Sequence, residues 1–154
     1  MKNQTGSLSL KFGEPHNLTV DKYVYESERV RYVCKNSSII VNATSDNTIT
    51  FDYTPQYSLV LESPYGVVNG SGWFDAEDTA RFSISPDTVP MDGFLGLLGI
   101  KYVFQGWSGD IRTSSTSGHI DMISPRKGVA VWGADYSSIF AVLVGLIAVM
   151  IGIL

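Results

Sequence analysis

Short β-rich runs separated by Gly and Pro turn signals constrain the fold of this 154-residue chain more than any other feature. Val, Ile, Tyr, Phe and Thr, which favour strands, fill the runs, and Gly, Pro, Asn and Ser lie between them. No stretch before Ser137 has a helical period. The pattern predicts an all-β fold of one or two small β-sandwich-like modules. The predicted strands are residues 6–12, 23–25, 30–34, 38–41, 48–53, 57–62, 80–85, 101–105, 120–123 and 129–132.

The first of these strands, residues 6–12, has a strict alternation of Leu8, Leu10 and Phe12 with polar residues. It would either complete the sheet of its own domain or add to the edge of a neighbouring copy's sheet. Both arrangements bury the same apolar face, so the sequence leaves them open, and the intramolecular one is the usual arrangement for a terminal strand.

Sixteen consecutive apolar residues, 139–154, close the sequence. A helix of that length spans about 24 Å, and adding residues 136–138 brings it close to the roughly 30 Å of a hydrocarbon core. We therefore expect a single C-terminal transmembrane helix over residues 137–154. A buried helix in a soluble core and a cleaved lipid-anchor signal are the alternatives.

Small residues recur along one side of that helix, at i, i+4, i+7 and i+11. Small side chains let two helix backbones approach closely, so the stripe predicts a helix-packing face. Membrane helices are rich in Gly and Ala in any case, which is the competing explanation. The stripe consists of Ala141, Gly145, Ala148 and Gly152.

Five of the six asparagines open an Asn-x-Ser/Thr acceptor for N-linked glycans. Ser and Thr make up 28 of 154 residues, so chance would place about one asparagine in such a triplet. The excess predicts N-linked glycans and places the bulk of the chain on the extracellular side of a cell membrane. Only Asn47 misses. The predicted sites are Asn3, Asn17, Asn36, Asn42 and Asn69.

Two features conflict with a simple topology. Arg126 and Lys127 precede the helix on the side that the acceptor triplets place outside, whereas basic residues normally collect inside. We give the triplets more weight. Residues 1–20 also lack the apolar core of a signal peptide. Either a signal has been removed, the start given to the chain is late, or the tail directs insertion.

Composition argues against several function classes. Eleven basic and fifteen acidic residues leave no basic patch for nucleic acid. The one cysteine, Cys34, cannot form an internal disulfide, so we expect it to be buried, with an intermolecular disulfide as the alternative. With two histidines and one cysteine, no metal or cofactor site is expected.

Catalytic constellations are also weak. Ser108, Asp110 and His119 are the one set that suggests a hydrolase triad, but residues 106–110 lack the closing glycine of a nucleophile elbow. A further acidic cluster lacks the spacing of a calcium loop and is interpreted as a solvated turn. That cluster is Asp75, Glu77 and Asp78. No enzyme is predicted.

The predicted domain boundaries follow from a weak internal sequence repeat. Arg31-Tyr32-Val33-Cys34 and the β-rich stretch after it parallel Lys101-Tyr102-Val103-Phe104 and the stretch after that. Two related modules, residues 1–56 and 57–136, followed by the membrane helix at 137–154, would explain this order. A chance resemblance between β stretches is the alternative.

Residues 56–136 carry a group of motifs with recognisable order. They are Ser63-Pro64-Tyr65-Gly66, Gly70-Ser71-Gly72-Trp73-Phe74, a Gly-Trp-Ser-Gly-Asp turn at 106–110, and Ser124-Pro125-Arg126-Lys127 leading to Ala130-Val131-Trp132. Together they resemble a β repeat common in archaeal cell-surface proteins, with relatives among bacterial repeats of the internalin B-repeat type. The resemblance implies a wall- or surface-layer-associated module of stalks, adhesins and non-catalytic parts of secreted proteases.

This copy departs from that repeat at residues 91–100, which form an apolar loop broken by glycines. The loop is either a flap over the core or a contact surface for another subunit or the bilayer, and we favour the contact surface. Its predicted contact residues are Phe94, Leu95, Leu97, Leu98 and Ile100. We expect Trp73, Trp107 and Trp132 to be core residues rather than a platform for sugars.

Two functions fit these features best. The first is a non-enzymatic, glycosylated cell-surface protein with a structural or interaction role, anchored in the membrane and assembling with itself or with envelope components. The second is an extracytoplasmic accessory subunit of a membrane enzyme complex. Sugar-binding adhesion through the tryptophans ranks third.

Overall fold

The computed structural model describes residues 8–42, 44 and 48–152. Twelve strands and two helices lie in this part of the chain, and they confirm the all-β class. The chain forms two compact units, residues 1–56 and 57–154, and it passes from one to the other within strand β5 (Tyr53–Glu62). The first unit also holds β1 (Pro15–Thr19), β2 (Tyr23–Ser27), β3 (Val30–Cys34) and β4 (Ser38–Asn42).

Two antiparallel pairs build the first unit. β1 pairs with β4, from Pro15 opposite Asn42 to Thr19 opposite Ser38. β2 and β3 form a hairpin with a bulge near its turn. The last two residues of β3, Val33 and Cys34, are buried, and Cys34 is only 1% exposed. The prediction of a buried thiol is therefore confirmed.

The predicted strand at residues 6–12 is wrong over the part that the structure describes. Residues 8–11 have no regular structure, and the chain turns at Gly13, whose φ is +78°. Leu8 and Phe12 are 69% and 76% exposed. Alternation produces a strand only where a neighbouring strand supplies hydrogen bonds, and here that neighbour, β4, pairs with residues from Pro15 onward. Gly6 and Ser7 lie outside the described residues.

A second prediction was also wrong in part. Residues 48–52 are irregular, and only Tyr53 of the predicted strand at 48–53 belongs to a strand. Tyr53 is held by its hydroxyl, which donates to the backbone carbonyl of Asp21 at 2.5 Å. Desolvation by burial raises the pKa of Tyr53, in the direction that favours the protonated, donating phenol.

The second unit adds the strands β6 (Val67–Asn69), β7 (Gly72–Asp75), β8 (Thr79–Ser85), β9 (Thr88–Pro90), β10 (Lys101–Gly109), β11 (Ser117–Asp121) and β12 (Arg126–Asp135). With β5 they form two sheets. One has the order β5, β12, β10, β9, with β7 beside β5, and the other has the order β11, β8, β6. β12 runs parallel to β5, while β10 is antiparallel to both β12 and β9.

One apolar core joins these two sheets. β8 alternates buried and exposed residues, so Ala80, Phe82 and Ile84 face inward toward residues of β5, β10 and β12. Trp107 packs edge-to-face on Phe82, with ring centroids 5.6 Å apart. The core residues are Leu59, Leu61, Ala80, Phe82, Ile84, Phe104, Trp107, Ile111, Met122 and Ala130.

The predicted turn at residues 106–110 is instead mostly strand. Trp107 and Ser108 lie inside β10, and a bulge between Phe104 and Gly106 turns the indole into the core. Gly106 has φ +144°, and a Cβ there would stand 2.8 Å from the carbonyl oxygen of Thr113. The glycine therefore permits a close backbone approach within a bulged strand.

Two helices complete the second unit. The short helix α1 (Gly93–Leu97) precedes β10, and α2 (Ser137–Gly152) follows β12. Lys101 at the start of β10 is directly opposite Asp135 at the end of β12. Both helices therefore leave the same end of this strand pair.

Candidate functional site

The β1–β4 ribbon presents two predicted glycan acceptors on one face. Directly opposed residues of an antiparallel pair point the same way, so Asn17, opposite Ile40, shares a face with Asn42, opposite Pro15. The other face carries His16, Leu18, Ile39 and Val41. Asn17 and Asn42 are diagonal neighbours, about 7–8 Å apart by sheet geometry.

Asn17 is further fixed by its neighbour Ser38. The Ser38 hydroxyl donates to Oδ1 of Asn17 at 2.8 Å. A glycan attaches to Nδ2, so the hydrogen bond leaves the reactive nitrogen uncommitted. Ser38 is itself the hydroxyl residue of the Asn36-Ser37-Ser38 triplet. Two acceptor triplets therefore meet at one side-chain contact.

The other two described acceptors lie in a turn and at a strand end. Asn36 is in the turn between β3 and β4, and Asn69 is the last residue of β6. Gly70, the middle residue of the second triplet, has φ +113°, and a Cβ would stand 2.1 Å from the carbonyl oxygen of Arg81. Asn17, Asn36, Asn42 and Asn69 are all exposed, and Asn3 lies outside the described residues.

The apolar loop at 91–100 contains α1 and displays two large side chains outward. Phe94 is 71% exposed and Leu97 is 85% exposed, with Leu95 and Leu98 partly exposed beside them. Ile100 is 1% exposed, so this predicted contact residue belongs to the interior instead. It directly precedes β10, where packing against the sheet removes it from the surface.

Backbone hydrogen bonds hold this loop in shape. The Ile100 N–H donates to the Leu95 carbonyl at 3.1 Å, and the Met91 N–H donates to the Ile100 carbonyl at 3.0 Å. A Cβ at Gly96 would stand 1.8 Å from the carbonyl oxygen of Met91, so the chain crosses itself closely there. The exposed side chains therefore sit on a closed backbone loop.

An aromatic cluster lies beside this end of the sheet. Tyr65 stacks on Tyr102 with ring centroids 4.0 Å apart, and Trp132 packs edge-on to Tyr65 at 5.7 Å. The indole Nε1 of Trp132 donates to the hydroxyl of Ser63 at 2.9 Å. Hydrogen bonding with Tyr102, and then desolvation, raises the pKa of Tyr65.

α2 begins with a side-chain cap. The Asp135 carboxylate accepts the backbone N–H of Ser137 at 2.9 Å, which lowers the pKa of Asp135, and Lys101 at 3.9 Å acts in the same direction. Along α2, Phe140, Val144 and Val149 are 67%, 66% and 60% exposed. Across residues 8–42, 44 and 48–152, no helix is both long enough and apolar enough to cross a membrane.

The predicted helix-packing stripe is described only in its first half. Ala141 and Gly145 are exposed, and a Cβ at Gly145 would meet no heavy atom within 4 Å. The surroundings of Ala148 and Gly152 lie outside what the structure describes. The first half of the stripe is therefore open.

The tryptophans take core or partly buried positions. Trp107 is 5% exposed within the core, and Trp132 is partly buried against it. Trp73 on β7 is also partly buried. The burial of Trp107 agrees with its predicted core position. The partial burial of Trp73 and Trp132 does not support a continuous exposed indole surface.

The residues considered for a triad have structural roles. Ser108 Oγ donates to the Val129 carbonyl at 3.1 Å, and Asp110 accepts the Lys127 N–H at 2.7 Å. His119 lies on β11, in the other sheet. The acidic residues at 75–78 form a turn closed by a backbone hydrogen bond. In the described part of the chain, no group of three or more His, Cys, Asp and Glu could hold a metal ion.

Three features of these surfaces escaped sequence reasoning. The pairing of β1 with β4, the contact between Ser38 and Asn17, and the joint exit of α1 and α2 each depend on residues distant in sequence. Turn signals around Pro15 and Ser37 could have hinted at the ribbon. Comparison of the chain with protein-family models, with curated proteins and with solved structures finds no match.

Proposed function

We propose that this protein is a non-enzymatic, N-glycosylated cell-surface protein that is anchored in the membrane by a C-terminal helix at residues 137–154. Its β units would lie on the extracellular side and assemble with one another or with other envelope proteins. The observation that carries the proposal is the exposure of Asn17, Asn36, Asn42 and Asn69, four acceptors on a chain with far more triplets than chance supplies.

The apolar surface of α2 supports the membrane part of the proposal. Side chains around the described helix are apolar and exposed, including Phe140, Leu143 and Ile147, so the second unit does not bury them. An exposed apolar surface of this kind in water would be strongly unfavourable, and lipid is the solvent that suits it. The resemblance of residues 56–136 to archaeal surface repeats agrees with an envelope location.

The basic pair before the helix conflicts less with this orientation than its sequence position suggests. Arg126 and Lys127 begin β12, and the ten-residue strand places them about 30 Å from the start of α2. Lys127 also pairs with Glu62 at 2.8 Å. These charges belong to the far end of a folded domain, where the positive-inside rule has little force.

An accessory subunit of a membrane enzyme complex is the second candidate. The open surface at Ala141 and Gly145 favours it, because small residues let a partner helix approach closely. Purification from native membranes in mild detergent separates the two. An accessory subunit co-purifies with a fixed set of integral membrane proteins, whereas an envelope protein co-purifies with itself or with surface subunits.

The direct test expresses the full chain in a glycosylating host and follows both mass and membrane retention. We expect glycans on at least three of the five triplets and retention in the membrane pellet after alkaline extraction. Asn47→Gln, outside any triplet, is the matched control for the Asn→Gln variants. A chain ending at Tyr136 should be released. An unmodified chain would end the extracellular assignment, and release of the full chain would end the anchor.

A further inference from the structure

We infer that α1 inserts Phe94 and Leu97 into the outer interface of the lipid bilayer, beside the point where α2 enters it. The inference rests on the proposed membrane attachment of α2. It goes further by assigning a second, independent lipid contact to the folded domain and by naming lipid as the partner of the loop at 91–100.

The topology places α1 at the membrane-facing end of the domain. α1 directly precedes β10, α2 directly follows β12, and these antiparallel strands are in register at Lys101 and Asp135. Gly99 lies against the first turn of α2, since a Cβ on Gly99 would stand 3.1 Å from the Cβ of Ser138. A bilayer that surrounds α2 therefore reaches α1 as well.

The backbone of this loop is already organised for contact. Ile100 is buried, and hydrogen bonds from Ile100 to Leu95 and from Met91 to Ile100 close the loop. Phe94 and Leu97 are thus held outward on a fixed turn. Insertion of these two side chains fixes few additional rotatable bonds, so the loss of conformational entropy on insertion is small.

The side chains fit a lipid interface. Residues 93–100 contain only Gly, Phe, Leu and Ile, so this part of the loop has no charge to desolvate and no side-chain donor to satisfy. The charged residue of the loop, Asp92, precedes α1 and is exposed. The neighbouring aromatic residues agree: Tyr136, 49% exposed, joins β12 to α2, and the Tyr65–Tyr102 stack lies at the same end. Tyrosines at the level of the headgroups are typical of membrane anchors.

Fluorescence quenching on the full chain in phosphatidylcholine vesicles tests this placement. Single cysteines at Leu97, Phe140 and Ile123 would carry an environment-sensitive dye in a Cys34→Ala background. A second set of the same three variants would retain Cys34, in case Cys34→Ala disturbs folding. These proteins would be labelled in the folded state, in which Cys34 is 1% exposed and does not reach the dye. Ile123 is the matched control, since it is 64% exposed and lies at the opposite end of β12.

We expect the dye at Leu97 to be quenched by nitroxides attached near the lipid headgroups and protected from aqueous iodide. The dye at Ile123 should behave in the opposite way, and the dye at Phe140 should be quenched by the lipid nitroxides. If Leu97 responds like Ile123 while Phe140 lies in lipid, the inference about α1 is wrong and the anchor stands. If Leu97 and Phe140 both respond to iodide alone, both the inference and the anchor are wrong.

Discussion

The hydroxyl of Ser38 donates a hydrogen bond of 2.8 Å to the side-chain carbonyl of Asn17, joining two strands through two acceptor triplets. Ser38 completes the triplet of Asn36, whereas Asn17 opens its own. One serine thus completes one predicted acceptor triplet and supports the asparagine of another across the strands. Both roles depend on the same hydroxyl.

Replacing Ser38 with Ala should remove one glycan, the one at Asn36, because the triplet loses its hydroxyl. Stability should change by no more than about 0.5 kcal/mol, since the contact is exposed and water can replace the donor. Ser38→Thr keeps both the hydroxyl and the triplet and is the matched control. Intact mass and glycopeptide mapping read the result. A mass for Ser38→Ala that is lower only by the lost hydroxyl oxygen would show that Asn36 is not modified.

The core of the second unit should depend strongly on Phe82. This ring is 4% exposed and packs on Trp107, so Phe82→Ala should lower the free energy of unfolding by about 3–5 kcal/mol. Ile123→Ala, at a side chain 64% exposed, should change it by no more than about 0.5 kcal/mol. Denaturant unfolding followed by circular dichroism measures both. Equal effects of the two variants would contradict the assigned core.

Gly118, directly across from Phe82, offers a second test of the same packing. A Cβ there would stand 2.6 Å from the Phe82 ring, so Gly118→Ala should cost about 1–3 kcal/mol through overpacking. In the Phe82→Leu background the shorter side chain relieves the clash, and the added cost of Gly118→Ala should shrink. Purely additive costs would indicate that the ring does not cover Gly118.

Sequence periodicity predicted those strands that have clear turn signals at both ends. β3 was predicted at its observed bounds, and β8 within one residue, because turn residues flank β-branched or aromatic runs. Residues 8–12 show why alternation is insufficient. Their pattern is that of a strand, but the hydrogen-bonding partner that decides the matter, β4, lies some thirty residues away and pairs with β1 instead.

Long-range pairing limited the prediction of the surfaces too. The parallel pairing of β12 with β5 joins Arg126 to Leu59, and no local pattern signals such a register. The exposure of Phe94 and Leu97 and the burial of Ile100 likewise depend on where the sheet ends. Apolar composition indicated an unusual loop, but only the fold distinguishes its outward side chains, Phe94 and Leu97, from the buried Ile100.

The cap of α2 should weaken at low pH. The Asp135 carboxylate accepts the Ser137 N–H, which lowers the pKa of Asp135 below its ordinary value of 3.8. A carboxyl group with a lowered folded pKa stabilises the folded state above its unfolded pKa and loses that contribution as pH falls through the folded pKa. Stability should therefore decrease below about pH 4 through this group.

Two substitutions isolate this effect in thermal unfolding at several pH values. Asp135→Asn keeps an acceptor oxygen for Ser137 but cannot titrate. The difference in thermal stability between this variant and the natural protein should therefore vanish at low pH. Asp135→Ala loses the acceptor and should remain less stable at every pH. Lys101→Gln should alter the profile little, because that exposed ion pair is long at 3.9 Å. A low-pH loss that persists undiminished in Asp135→Asn would assign it to another group.

Gly145→Leu should weaken any association that α2 makes with a second helix. A Cβ at Gly145 meets no heavy atom within 4 Å, so the larger side chain fits the described unit without a clash. Leu also favours a helix over Gly, by somewhat less than the roughly 0.8–1 kcal/mol that separates Gly from Ala, so the substitution does not weaken α2 itself. Loss of association would therefore report on close backbone approach between helices.

Val144→Leu is the matched control, since Val144 is 66% exposed, directly precedes Gly145 in the same turn and adds bulk outside the small-residue stripe. Cross-linking in native membranes, followed by purification in mild detergent, compares the two variants with the natural protein. We expect the Gly145→Leu protein to lose its cross-linked partner and the Val144→Leu protein to retain it. If both variants retain the partner, Gly145 is not needed for the association and reflects the ordinary composition of membrane helices.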